Sequence, residues 1–148
     1  MAQPATVKVV GLESLGKALR ELPKKVEGKI LRTAMRNGTK LVAAATKAAA
    51  PVDTGLLQRS FAVRALKRKK GRVGNRITIK NVDKIVTVSK EGKRHFYPAV
   101  IEYGTKNRPA RPFMRPAFES SAQAAENQIA NELGDGITRA ATIRAGAK

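Results

Sequence analysis

The amino-acid sequence predicts an α+β fold: two N-terminal helices, a four-stranded mainly antiparallel sheet and a C-terminal helix. Three observations carry that expectation. Apolar residues recur at three- and four-residue steps up to Pro51 and again after Pro116, the period of a helix with one buried face. Between those runs, short β-branched segments are separated by turn-forming clusters. The 148 residues are 42% apolar and contain no linker long enough to divide them. A single domain is expected over residues 1–148, with its core in 11–133 and a basic tail in 134–148. A chain of this length buries roughly 68–70% of the surface its unfolded form exposes.

In chain order, Thr6 to Val10 alternates weakly and reads as a short strand or an arm. Leu12, Leu15, Leu19 and Leu22 mark one face of a first helix, which Pro23 ends. Val26, Ile30, Ala34, Leu41, Ala45 and Ala49 mark a second, longer one, with Lys24, Lys25, Lys29, Arg32, Arg36, Lys40 and Lys47 mostly off the stripe. Gly38 inside this helix costs about 1 kcal/mol relative to Ala, which points to a close approach of another backbone. Pro51, Asp53, Thr54 and Gly55 form a structural turn: Pro presets φ, Asp and Thr bond nearby amides, and Gly accepts positive φ.

Four strand candidates follow: Phe61 to Leu66, Arg76 to Lys80, Lys84 to Ser89, and Phe96 to Tyr103. Pro98 cannot donate to a ladder, so the last strand lies at an edge or begins after it. Pro109, Pro112 and Pro116 exclude a regular element from the next segment. Phe118, Ala122, Ala125, Ile129 and Leu133 then define a helix that Gly134, Asp135 and Gly136 are expected to stop. The remainder, Ile137 to Lys148, reads as a frayed helix or a tail.

Composition narrows the chemistry. There is no Cys, which removes disulfides, thiolate metal sites and Cys nucleophiles. His95 is the lone imidazole and has no acidic cluster beside it in sequence, so no metal site is expected. No Gly-x-Ser-x-Gly elbow or phosphate-binding Gly-Lys-Ser/Thr loop is present. No catalytic residue and no cofactor are assigned, and no membrane span: the longest apolar stretch, Leu41 to Val52, falls short of the ~20 residues a spanning helix needs. Aromatics make up only 4% of the chain. Its core must come from Ala, Val, Leu and Ile, and subunit contacts are expected to add to a modest monomer stability.

The net charge is +19, from 30 Lys and Arg against 11 Asp and Glu. No acidic residue falls between Asp53 and Asp83, whereas Arg64, Lys67, Arg68, Lys69, Lys70, Arg72 and Arg76 cluster around one strand-to-strand loop. That loop is either a contact for a polyanion or acidic partner or a solvated hairpin tip. A nonspecific nucleic-acid-binding protein that uses the basic loop 64–80 is therefore an alternative function. Any DNA contact would be to the backbone, because no recognition helix or aromatic platform accompanies the charges.

Two stretches carry a resemblance. Ala49-Ala50-Pro51-Val52-Asp53-Thr54-Gly55-Leu56-Leu57 precedes the sheet, and Glu102-Tyr103-Gly104-Thr105 is followed by Pro112-Phe113-Met114-Arg115-Pro116-Ala117. In this order they resemble the small tail-component, neck or tail-completion, proteins of long-tailed bacteriophages, akin to the minor tail protein Z of lambda-type phages. The likeness spans about residues 11–133.

It implies a structural virion protein without catalysis, assembled in the host cytoplasm. Such a protein forms a homo-oligomeric ring, commonly sixfold although some neck rings are twelvefold, at the head–tail interface, where it completes or terminates the tail and leaves a passage for DNA. Its implied partners are itself, the connector, the stopper and the tail tube. The residues give this a physical form. Glu102, a carboxylate in an apolar segment, needs a partner, and the Arg residues of the Pro-rich segment are available in the same or a neighbouring subunit. Glu102, Tyr103, Arg108, Arg111, Phe113, Met114 and Arg115 are thus the expected subunit interface, with Phe113 either an anchor in a neighbour or packed under its own sheet.

Overall fold

A computed structural model describes residues 12–52, 55–67, 72–88, 92 and 94–146. Thr6 to Val10, Asp53, Thr54, Arg68, Lys69 and Lys70 lie outside the described residues. The protein is α+β. Helix α1 (Leu12–Arg20) and helix α2 (Lys24–Ala49) are separated at Pro23, whose carbonyl accepts the Val26 and Glu27 amides at 2.8 and 3.0 Å. α2 stops where Ala50 turns extended (φ −67°, ψ 136°), as a residue before proline prefers.

Gly55, in the left-handed region at φ 70°, opens a short helix that periodicity does not reveal, α3 (Leu56–Ser60). α3 leads directly into strand β1 (Phe61–Ala65), which pairs antiparallel with β2 (Asn75–Ile79) in the register Phe61↔Ile79 to Ala65↔Asn75. The Leu66 amide donating to the Gly74 carbonyl at 2.9 Å extends that ladder toward the hairpin tip.

The strands do not form the expected four-stranded sheet. β3 (Val86–Val88) pairs antiparallel with β4 (Arg94–Phe96), and among the described residues the two pairs remain separate two-stranded sheets. The break has a local cause. Asn81 sits in the left-handed region (φ 53°, ψ 48°) and opens a single 3-10 turn at Val82–Lys84, which interrupts the run from β2 to β3.

Residues 97–103, expected as the last strand, form helix α4 (Tyr97–Tyr103). Pro98 is at the start of this helix, where a missing N–H costs nothing, and its side chain is fully buried. A short apolar run does not distinguish a strand from a buried helix, and the β-branched Val100 and Ile101 pointed the wrong way.

The last helix, α5 (Met114–Gly146), continues past the expected stop at Gly134–Gly136. Gly136 serves packing rather than termination: a Cβ there would sit 2.5 Å from Ile30 Cγ2. Gly38 plays the same part on α2, where a Cβ would meet Ile129 at 2.5 Å and the Ala125 carbonyl at 3.0 Å. The two glycines let the antiparallel α2 and α5 lie close together. Asn37 donates across this seam to Glu132 Oε1 at 2.8 Å, and Gln128 donates to the same oxygen at 3.1 Å.

Two apolar clusters result. Leu19, Ala34 and Leu133 join α1, α2 and α5, with Ile30 and Ile129 against them. Ala50, Leu57, Phe61, Ile85, Ile101 and Phe113 join the end of α2 to both hairpins, α4 and the start of α5. Phe61 and Phe113 meet edge to face, their ring centroids 6.3 Å apart.

Candidate functional site

The Glu102 junction organises one end of the molecule. α4 is closed by Gly104 at φ 72°, whose amide donates to the Val100 carbonyl at 2.9 Å. A Cβ on Gly104 would stand 2.7 Å from the Ala110 nitrogen, so only glycine fits. The chain then folds back: Thr105 and Arg108 exchange backbone bonds of 2.8 and 3.2 Å, and the Arg111 amide donates to the Ile101 carbonyl at 2.8 Å. This return brings the start of α5 to Glu102. Oε2 of Glu102 accepts the Phe113 and Met114 amides at 2.9 and 3.0 Å, and Oε1 accepts the Arg115 amide at 3.3 Å. Pro116 has no amide to satisfy.

A carboxylate from a different helix therefore caps α5, filling the donors that a helix N-terminus leaves unpaired and lying at the positive end of its dipole. The partner expected for Glu102, an arginine side chain, is replaced by three backbone amides. The acceptor and the amides it caps are 11 to 13 residues apart in sequence and meet only because the chain folds back between them.

Phe113 is 5% exposed and packs in its own protomer's core, so its ring is not a surface anchor. Met114 is half-buried, while Arg108, Arg111 and Arg115 are exposed. Tyr103, by contrast, is 77% exposed. It lines an apolar groove of 340 Å³ together with Val82, Phe96, Met114 and Glu102. Val82 and Phe96 are 44% and 37% exposed and were not singled out from sequence. Their adjacency depends on the 3-10 turn and on α4, neither of which the alternation of residues announces. A second apolar groove of 350 Å³ lies between α2, β2 and α5; there Glu126 Oε2 is buried without a hydrogen-bond partner among the described residues.

The basic residues gather elsewhere. Arg64, Lys67, Arg72 and Arg76 are exposed on the β1–β2 hairpin, with Arg64 and Arg76 directly opposite each other across the ladder. Like charges so placed oppose pairing. The structure adds residues that periodicity had set aside as a solvated face: Lys29, Arg32, Arg36 and Lys40 of α2 line a cleft of 530 Å³ whose other wall is the mouth of the hairpin, with Arg72. Their three- and four-residue spacing was legible as one helix face. What the sequence lacked was the hairpin laid against that face.

Pro51 and Gly55 lie between α2 and α3, with Gly55 at φ 70°, while Asp53 and Thr54 of the expected turn lie outside the described residues. Among the described residues no cluster of His, Asp or Glu suited to a metal ion occurs, and no helix is long and apolar enough to cross a membrane.

Comparison with known proteins gives one family. Residues 13–104 match the model described as "Bacteriophage HK97-gp10, putative tail-component". Neither the curated proteins nor the solved structures give a match to this chain. The family match ends at Gly104, so it includes Glu102 but not the α5 amides that Glu102 caps. Since the match covers more than half of its length, the chain belongs to the HK97-gp10-like family of bacteriophage tail components.

Proposed function

We propose that this chain is a structural, non-catalytic neck subunit of a long-tailed phage virion, which completes or terminates the tail and joins it to the head. It assembles as a homo-oligomeric ring, of sixfold symmetry as in the resemblance above, around a passage for DNA. The observation that carries this reading is the exposed apolar groove at Tyr103, Phe96 and Val82 on a member of a tail-component family. An exposed aromatic ring beside an apolar groove is the usual mark of a surface that another chain covers. Two further features support it. Each of the two hairpins leaves backbone donors and acceptors at its edges. The loop at residues 105–112, which follows Tyr103 in the chain and leads into the Glu102 cap, exposes Arg108 and Arg111 for polar contacts. A closed ring uses two different patches of each subunit, and the groove supplies one of them. The connector, stopper and tail tube are the remaining partners.

Gene deletion and complementation test the assignment. Particles made without the protein are expected to accumulate as separate heads and tails, and adding the purified protein is expected to restore joining. Fully tailed, infectious particles from the deletion would overturn the proposal.

A further inference from the structure

The cleft between α2 and the mouth of the β1–β2 hairpin has a composition that the ring does not require. Lys29, Arg32, Arg36 and Lys40 form one wall, Arg72 stands on the other, and no acidic residue lines it among the described residues. Leu66 and Val73 supply an aliphatic patch at the mouth of the hairpin. We propose that this cleft docks an extended, carboxylate-rich segment of a different protein.

The geometry favours such an occupant. From Lys29 to Lys40 the helix rises roughly 17 Å, a span that about five residues of extended chain cover. Steps of three and four residues place successive cations roughly 4.5–6 Å apart along the axis, close to the ~6.6 Å between alternate side chains of an extended strand. An acidic residue at every second position thus meets a cation each time. The arginines can take its carboxylates through two parallel N–H bonds, which a free-floating charge cloud would not select.

Nucleic acid fits less well. The lining holds no Phe, Tyr or Trp on which a base could stack, whereas an aliphatic patch suits the side chains of a peptide. A second copy of this chain is also a poor occupant. No two of its 11 acidic residues are adjacent in sequence, Glu27 is paired with Lys24, Glu102 caps α5, and Glu132 is held by Asn37 and Gln128. The inference rests on the cleft alone, and a failure of the ring proposal would leave it standing.

Fluorescence anisotropy of the full-length protein tests it. The probe is a labelled peptide of about ten residues with Glu at alternate positions, compared with its Gln counterpart and with single-stranded and duplex DNA of equal charge. Two double variants remove the same net charge: Arg32→Gln/Arg36→Gln within the cleft, and Lys47→Gln/Arg59→Gln outside it.

The Glu peptide is expected to bind and the Gln peptide not to. The cleft variant should weaken binding by about tenfold or more, and the outside variant by about twofold or less. All four positions are solvent-exposed, so unchanged circular dichroism is expected for both variants. Retaining the charges without the forks, in Arg32→Lys/Arg36→Lys, should give an intermediate loss. Equal loss from both double variants, tighter binding of either DNA than of the Glu peptide, or no binding of the Glu peptide at low salt would each overturn the proposal.

Discussion

Replacing Glu102 by Ala removes the acceptor for three amides at the start of α5, and its cost follows from their geometry. The bonds from Phe113 and Met114 are short, at 2.9 and 3.0 Å, and partly buried; the third, at 3.3 Å from an exposed amide, adds little. Loss of a helix cap costs about 0.5–2 kcal/mol, and a hydrogen bond to a charged group contributes about 1.5–3 kcal/mol. Two partly buried amides left without their carboxylate give about 2–3 kcal/mol for Glu102→Ala. Glu102→Gln keeps one oxygen but turns an NH₂ toward the amides and loses the charge at the helix end, for about 1–2 kcal/mol.

Urea unfolding at two protein concentrations measures this while separating folding from assembly. With a slope near 2 kcal/mol per M, the Ala midpoint should fall by about 1–1.5 M. The arginine side chains take no part in the cap, so Arg108→Ala, Arg111→Ala and Arg115→Ala should each stay within about 0.5 kcal/mol of the parent. A Glu102→Ala variant as stable as the parent, or an Arg111→Ala variant as damaged as Glu102→Ala, would refute it.

Further outcomes follow from packing. Gly38→Ala drives a methyl into Ile129 and the Ala125 carbonyl, so thermal unfolding should show a loss of about 1–3 kcal/mol despite alanine's better helix propensity. Gly134→Ala, with open space around its Cβ, should instead gain up to about 1 kcal/mol in the same assay. Phe113→Ala empties the contact with Phe61 and should cost about 3–5 kcal/mol in urea unfolding. Tyr103→Ser should leave the monomer's stability within about 0.5 kcal/mol and reduce the assembled fraction in sedimentation velocity.

The difference between Phe113 and Tyr103 shows what a sequence can and cannot specify here. Both are aromatic residues in motifs flanked by turn formers. Which one faces out is decided by the return of residues 105–112, and that return is held by Glu102, a residue whose need for a partner was legible although the partner was not. Periodicity locates the apolar stripe of α5 but misplaces its end, because glycine in a helix means a stop or a close contact according to what lies beside it, and Ile30 lies more than 100 residues away in sequence. The same non-local dependence hides α4. Its apolar run is short enough to satisfy either period, and Pro98, disqualifying for a central strand, is favourable one step inside a helix.

The basic cleft follows this pattern. The hairpin cations are visible as an acid-free stretch between Asp53 and Asp83, and the α2 cations as a regular face, but only the fold sets one against the other. Arg68, Lys69 and Lys70 belong to that acid-free stretch and lie outside the described residues.

A reconstruction of the neck from intact particles bears most directly on the proposed role. A closed ring of this subunit is expected at the joint between head and tail, with Tyr103, Phe96 and Val82 covered by the adjacent protomer. Density for the protein absent from that joint, or those three side chains facing open solvent in the assembled ring, would contradict it.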